Sequence, residues 1–437
     1  MSNDSAAAME QTIQSESLEH VFVEFPDLNG VSRGKQVAAD VFLEKWQEGF
    51  SMNLTVLEAG ALDDWDADSY YGVSTDFADG TLHPLPETFK LTPWRADTGR
   101  VLCEFTYEGE PVEAYTRSAL ARVLDDLAEL DLEATAGSEL EFSLLEETAD
   151  GYEPFTAYDH DCVMSATEVA APFYDRLSDW AEPFDVPLTL MHHEDGAGQL
   201  EVLFEHGTPM EVADRAFDFK RLVTEAARPT DWEATFMTKP FTGASANGYH
   251  LHIGLFRDGD NVLADDDTDD RQLSATGRAF VGGVLDHAEA ITALTCPTVN
   301  ALKRFVPETF APYTASWGYN NRSTAVRIPQ SDPVRVETRI PAAEANPYLT
   351  TAAVLAAGIH GIRNETDPGE PGTGYVTEGR RLPRTPGLAL RALEDDDVLR
   401  AALGEELVQV YLDAKRAELD AFVEEVTDWE QRYIEII

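Results

Sequence analysis

Apolar and polar residues alternate in short bursts near the start of the chain and fall into helical spacing further on. Residues 20–25 alternate with period two and predict a strand. Asp27-Leu28-Asn29-Gly30 supplies a tight turn, and residues 31–38 predict the returning strand. Residues 40–48 place Val41, Phe42 and Trp46 at helical spacing and stop at Gly49, the residue a left-handed helix end favours. Residues 52–57 and 101–107 predict further strands of a small mixed sheet, while 60–93 is acidic, punctuated by glycine and proline, and predicts irregular structure. Beyond it, Leu120, Val123, Leu124 and Leu127 line one face of a helix that starts near Thr116. Thr208-Pro209-Met210-Glu211 opens another, with an N-cap, a proline in the first turn and a capping-box glutamate. Residues 349–362 and 396–422 predict further helices. Residues 1–17 are polar and acidic, lack the apolar segment of a signal peptide, and predict a disordered tail. The acidic run 265–270 lacks the glycine of a calcium-binding loop and predicts a solvated loop.

Four predicted strands carry polar or ionisable residues two apart: Ser138-Glu139-Leu140-Glu141-Phe142, Gln199-Leu200-Glu201-Val202-Leu203, Tyr249-His250-Leu251-His252-Ile253, and Val334-Arg335-Val336-Glu337-Thr338-Arg339-Ile340. Strand side chains alternate, so Glu139 shares a face with Glu141, His250 with His252, and Arg335 with Glu337 and Arg339. The opposite faces are mostly apolar and must pack against helices. Each charged face could simply meet water, as antiparallel sheets often do. Four together, mixing carboxylates, imidazoles and arginines without lysine, fit one charged sheet face lining a cavity. Carboxylates crowded away from bulk water repel unless a cation neutralises them. Carboxylate, imidazole and arginine together suit Mg²⁺ or Mn²⁺ holding a polyphosphate, and so metal-assisted phosphoryl transfer.

Composition narrows the alternatives. A chain of 437 residues favours two domains, and 43 % hydrophobic residues can bury a core. No apolar run approaches the roughly 18 residues of a membrane span. The formal charge is −49, from 32 Lys and Arg against 81 Asp and Glu, and 7 of those bases are Lys. Such a surface suits molar salt, the alternative being a basic protein partner. Nucleic acid needs a basic stripe that is absent here. Cys103, Cys162 and Cys296 are odd in number and widely spaced, which disfavours disulfides and thiolate zinc and points to a reducing cytosol. Gly30-Val31-Ser32-Arg33-Gly34-Lys35 is one residue short of a P-loop, and Gly196-Ala197-Gly198 is only a fragment of a dinucleotide fingerprint. Gly243-Ala244-Ser245-Ala246-Asn247-Gly248 has the wrong spacing for a nucleophile elbow, and His192-His193-Glu194 lacks the second spaced histidine of a metalloprotease helix. ATP must be held another way.

Several motifs in order carry a resemblance: Asp27-Leu28-Asn29-Gly30 with Arg33-Gly34-Lys35, Glu139-Leu140-Glu141-Phe142, His192-His193-Glu194 with Gly198-Gln199-Leu200-Glu201, Lys303-Arg304-Phe305-Val306-Pro307, Asn321-Arg322-Ser323, and Asn346-Pro347-Tyr348-Leu349. Together they resemble the glutamine synthetases over nearly the whole chain. The resemblance implies an α+β fold, with a β-grasp domain at 18–107 and a catalytic domain at 113–437 whose antiparallel strands form a funnel flanked by helices. It implies stacked hexameric rings, a dodecamer, with each site completed by a neighbour. Two ions, Mg²⁺ or Mn²⁺, are implied, one on Glu141, Glu194 and Glu201 and the other on Glu139, His250 and Glu337. Arg322, Arg327 and Arg335 match residues that hold the ATP phosphates, and His252 matches a nucleotide contact. Arg304 and Arg339 match those gripping the glutamate carboxylates, with Glu141 and Phe310 beside the substrate. Arg322, Arg339 and Glu337 are the implied catalytic set. The implied chemistry phosphorylates the γ-carboxylate of glutamate and lets an amine displace phosphate, after a carboxylate has taken the amine's proton.

The chain departs from the glutamine-forming pattern on the amine side. The flap reads Glu308-Thr309-Phe310-Ala311-Pro312, placing Phe310 where the family carries a glutamate. No Asp-Gly-Ser-Ser stretch is present; its region reads Gly60-Ala61-Leu62-Asp63-Asp64-Trp65-Asp66-Ala67-Asp68. Ser245-Ala246 replaces the usual Asn-Gly beside the glutamate backbone groups, so the acid substrate could differ as well. With Ala315-Ser316-Trp317-Gly318-Tyr319-Asn320-Asn321-Arg322, this pattern is closer to the γ-glutamylpolyamine and γ-glutamylamide synthetases. The leading expectation is therefore a cytoplasmic, salt-adapted ligase joining glutamate to an organic amine. Glutamine synthesis from ammonia is the alternative, and a catalytically silent structural or regulatory homologue is an alternative of another class.

Overall fold

The computed structural model describes residues 3–59, 70–72, 75–265 and 272–434. Its first element corrects an expectation. Asn3–Ser15 is a helix rather than part of a disordered tail. The polar composition of this segment conceals Met9 and Ile13, four apart on one face, and both are buried in the core. The Trp46 indole donates to Glu10 at 3.0 Å and fixes the helix from the side.

The first sheet contains β1 (His20–Pro26), β2 (Ser32–Ala38), β3 (Phe50–Asn53), β4 (Asp79–Pro84), β5 (Lys90–Leu91), β6 (Thr98–Tyr107) and β7 (Glu110–Pro111). Its order is β2-β1-β6-β4-β3, with β5 and β7 also on β6. β1 and β6 run parallel, and the other pairs are antiparallel. The strand expected at 52–57 ends at Asn53. The Asn53 side chain accepts from Thr55 N and caps a 3₁₀ turn, Leu54–Glu58. The segment 60–93 is not wholly irregular, since β4 and β5 lie within it. β4 turns Gly80, Leu82 and Pro84 inward, and glycine and proline disguise that alternation in the sequence.

The second sheet contains β8 (Glu133–Thr148), β9 (Gly151–Pro154), β10 (Leu188–His193), β11 (Gln199–Phe204), β12 (Trp232–Thr235), β13 (Tyr249–Arg257), β14 (Asp260–Asn261), β15 (Trp317–Tyr319), β16 (Val326–Ile328) and β17 (Val336–Thr338). Its main path runs β10-β11-β8-β13-β17-β16-β15, antiparallel except for β15 and β16. β17 is shorter than the expected 334–340. Pro333 and Pro341 bracket it, and proline brings no N–H to a ladder. The apolar side of β8 (Leu140, Phe142, Leu144) is fully buried, and Phe142 meets Phe219 of the helix Pro209–Ala227. That helix opens with the predicted capping box, both reciprocal bonds being made. The helix expected over 396–422 is broken. Asp397–Leu403 and Glu405–Glu424 are separate because Gly404 stands between them at φ +106°. Of the acidic run 265–270, all but Asp265 lies outside the described residues. Among the described residues no helix is long and apolar enough to cross a membrane.

The first sheet meets the helix Pro209–Ala227 along a seam of buried charge. Arg100 of β6 reaches Glu24 of β1 at 3.2 Å and Asp218 of the helix Pro209–Ala227, and Lys90 joins Asp218 at 2.8 Å. Asn346, the N-cap of the helix Pro347–Asn364, donates its amide to the Asp27 carbonyl at 2.9 Å.

Candidate active site

Strand register assembles the charged face. Neighbouring strands set His192 opposite Glu201, Glu201 opposite Glu141, Glu139 opposite His250, His252 opposite Glu337, and Glu337 opposite Arg327. Directly opposed residues share a face, so this one row runs from β10 to β16 across six strands. His250 Nδ1 lies 3.2 Å from Glu139 and 3.9 Å from Glu337, and His250 Nε2 is 3.9 Å from Glu141. His252 Nε2 lies 2.9 Å from Glu139.

Three sets of ligand atoms converge here: Glu139, Glu201 and His250; Glu139, His252 and Glu337; His192, Glu194 and Glu201. All six expected ligands lie in this cleft, though grouped differently. Glu139 joins two sets. Glu141 turns one oxygen to Gln199 Nε2 at 2.7 Å and to Gly248 N at 2.9 Å. His252, expected at the nucleotide, falls among the acids. His192 and Gln199 stand in the quoted motifs but are not among the expected ligands or contacts, although Gln199 shares the Glu201 face by period two. His192 sits 2.8 Å from Glu194 and 3.6 Å from Glu201.

The electrostatics show an acid cluster short of positive charge. Burial, reinforced by Glu141, Glu139 and Glu194, pushes Glu201 up to about 10. Burial also raises Glu141. Glu139 is lowered: burial opposes this, but hydrogen bonds from His250 and His252 prevail. Glu337, against the same burial, is held at about 2 by Arg339, the imidazoles and Arg327. Crowding that raises one carboxyl among ionised neighbours is what a divalent cation held by the same oxygens would relieve. An oxygen-rich set with imidazole and no thiolate fits Mg²⁺ or Mn²⁺.

Arginines border this cluster. Arg327 donates to Glu337 at 2.6 Å and to Asn320 at 2.8 Å. Arg335 donates from Nε to His252 Nδ1 at 3.2 Å, and Arg322 is exposed at the rim. Buried Arg304 spends one terminal nitrogen on the carbonyls of Arg339, Ile340 and Pro341, at 2.7–3.1 Å. Its other terminal nitrogen lies 2.8 Å from where a Cβ on Gly248 would stand, so a larger residue there would have to displace the guanidinium. Buried Arg339 bonds Glu337, the Arg322 carbonyl at 3.0 Å and the Phe310 carbonyl at 3.3 Å. Phe310 is 61 % exposed on the flap. Ser245 donates to Asp195, and the Ala246 carbonyl accepts from Gln199 at 3.3 Å. The segment where the amine-side aspartate was sought, 60–68, lies outside the described residues.

Residues 113–434 match the family described as "Glutamine synthetase, catalytic domain". The chain is 34 % identical to the glutamine synthetase of Thermotoga maritima, with 98 % of each chain covered. It is equally identical to that of Halobacterium salinarum, covering 99 % of this chain and 97 % of the relative. Among solved structures, a GmaS/ADP complex superposes with a TM-score of 0.88 at 30 % identity, covering 98 % of this chain and 99 % of that one.

Proposed function

This chain belongs to the glutamine synthetase family and is an ATP-dependent C–N ligase, and from that premise we propose that it joins the γ-carboxylate of glutamate to an organic amine rather than to ammonia. One observation carries the choice of amine. At the flap position where the family carries a glutamate, this chain presents an exposed phenylalanine, tied through its carbonyl to Arg339. A phenyl ring cannot take a proton from ammonium or accept a charge-assisted hydrogen bond from it, but it can cover an alkyl group. GmaS, a γ-glutamylmethylamide synthetase, supports a small alkylamine as the partner. The curated relatives are glutamine synthetases, and they support ammonia as the second reading.

Glu139, Glu141, Glu194, Glu201, His250 and Glu337 would hold the divalent ions, with His192 and His252 adjoining. Bound there, Mg²⁺ or Mn²⁺ supplies charge neutralisation for the phosphate oxygens. Arg322, Arg327 and Arg335 stand at the phosphate end, where guanidinium groups stabilise charge that grows on a transferring phosphoryl group. Arg304 and Arg339 are anchored by carbonyls and by Glu337, so they meet an incoming carboxylate with little ordering cost. The proton lost by the amine must go to a carboxylate other than position 310.

The proposal extends to the assembly: stacked hexameric rings in a cytosol rich in salt, with sites shared between neighbours. The deciding experiment measures phosphate release from ATP with glutamate in molar KCl, comparing ammonium with methylamine, diamines and polyamines and identifying products by mass. Preference for an organic amine supports the reading, and preference for ammonium replaces it with glutamine synthesis.

A further inference from the structure

Bases are scarce in this chain, at 32 against 81 acids, yet one cavity reverses that ratio. It measures about 600 Å³ and lies where β1 and β2 face the helix Pro209–Ala227. Arg33, Lys35, Lys220, Arg221 and Arg228 line it, against Glu24, Glu225 and Glu344. Two of the chain's 7 lysines are thus among its lining residues. No residue of the carboxylate–imidazole cleft lines this cavity.

The acids are engaged, and so are the arginines, Arg33 by Asp27 at 2.9 Å, Arg221 by Glu24 and Arg228 by Glu225, which leaves the two lysines, among the described residues, as the cations without an acid partner. Glu24 pairs with Arg100 and Arg221. Glu344 accepts from Thr238 N at 2.9 Å and from the Thr298 hydroxyl. Glu225 stands 3.5 Å from Arg228. The two ammonium groups instead meet neutral acceptors. Lys35 donates to the Ser51 carbonyl and Lys220 to the Ala345 carbonyl, each at 2.6 Å. Among the described residues neither lysine has a carboxylate within ion-pair distance. Burial, only partly offset by Glu344, pushes Lys220 down to about 7, so its site lacks a counter-charge. Phe22, Phe217, Phe236 and Met237 supply apolar wall.

We propose that this cavity binds a small organic polyanion, bearing two or more carboxylate or phosphate groups, at a site separate from the catalytic cleft. Its volume falls within the range of metabolite pockets, and its charge matches a multiply charged anion. An occupant touches both units: β1 and β2 on one side, and on the other the helix bearing Lys220. The Met237 carbonyl also holds Asn247 at 2.8 Å, next to the Gly248 that supports Glu141.

The test is calorimetric titration of the full chain, stripped of divalent metal, at one fixed KCl concentration. Citrate probes the carboxylate class and pyrophosphate the phosphate class. Saturable binding of at least one probe is expected, and whichever binds tighter assigns the class. The double substitution Lys35→Glu with Arg228→Glu, at surface positions that spare the fold, should weaken that binding by at least about tenfold. Arg335→Ala, in the cleft, should leave it unchanged. Absence of saturation with both probes overturns the proposal. So does binding that Arg335→Ala abolishes and the double variant retains.

Discussion

Replacing Phe310 by glutamate tests the proposed choice of amine at one position. The residue is 61 % exposed and its backbone carbonyl is what engages Arg339, so Phe310→Glu leaves that hydrogen bond in place. Stability should move by no more than about 0.5 kcal/mol. The restored carboxylate can pair with ammonium through a charge-assisted hydrogen bond of roughly 1.5–3 kcal/mol. Removing the ring takes apolar cover from an alkyl substituent, worth about 0.8 kcal/mol per buried methylene and close to that for one methyl. The carboxylate pairs with either cation, so only the lost cover separates the substrates, and the ratio of kcat/KM for ammonium over methylamine should rise by about 0.8 kcal/mol, or roughly fourfold. Competition kinetics with both amines, and products resolved by mass, read that ratio directly. A ratio unchanged within about 1.5-fold, in a variant that still hydrolyses or transfers phosphate from ATP, would refute Phe310 as the determinant.

Other expectations concern the metals, the seam and the pH response. His192→Ala should weaken Mn²⁺ binding by about 10- to 100-fold, measured as free Mn²⁺ by paramagnetic resonance; unchanged affinity would reduce His192 to a hydrogen-bond partner of Glu194. Arg100→Met strips one cation from Glu24 and Asp218, which keep Arg221 and Lys90, so the loss should sit near the lower end for a broken buried pair, about 3 kcal/mol. A shift in the urea midpoint under half that size would mean the seam tolerates the change. For Lys220 the folded value near 7 lies below the ordinary 10.5, so the unfolded chain binds more protons between them and stability should rise with pH across that window. Denaturation of Lys220→Met should lack that rise; an identical slope would place its origin elsewhere.

Much of the cleft was legible because strand geometry leaves few choices. Once residues 138–142, 199–203 and 249–253 are strands, period two decides which side chains share a face, and the observed register then sets Glu139 against His250 and Glu201 against Glu141. His192 escaped because His192-His193-Glu194 was compared with a helical template, whereas the segment is the end of an edge strand. The helix Asn3–Ser15 escaped because two buried apolar residues are a faint signal within a polar segment. β4 was hidden because its inward positions include Gly80 and Pro84, which read as loop. Gly404 could have announced the break before Glu405–Glu424, since a glycine inside a long helical pattern is the usual place for one.

The same geometry explains how a flap can change its side chain while the charged strands keep theirs. The carboxylates and imidazoles stand on paired strands, where a change of register would turn each of them to the opposite face. The flap around Phe310 pairs with no strand, and a loop can exchange a side chain without disturbing the ladder. The two regions are nevertheless joined by one guanidinium. Arg339 holds Glu337 in the cleft and the Phe310 carbonyl on the flap, through backbone that any residue at 310 would supply. The flap's position is thus tied to the catalytic cleft while its side chain stays free to vary, and that is the arrangement by which a ligase can change its amine and keep its use of ATP.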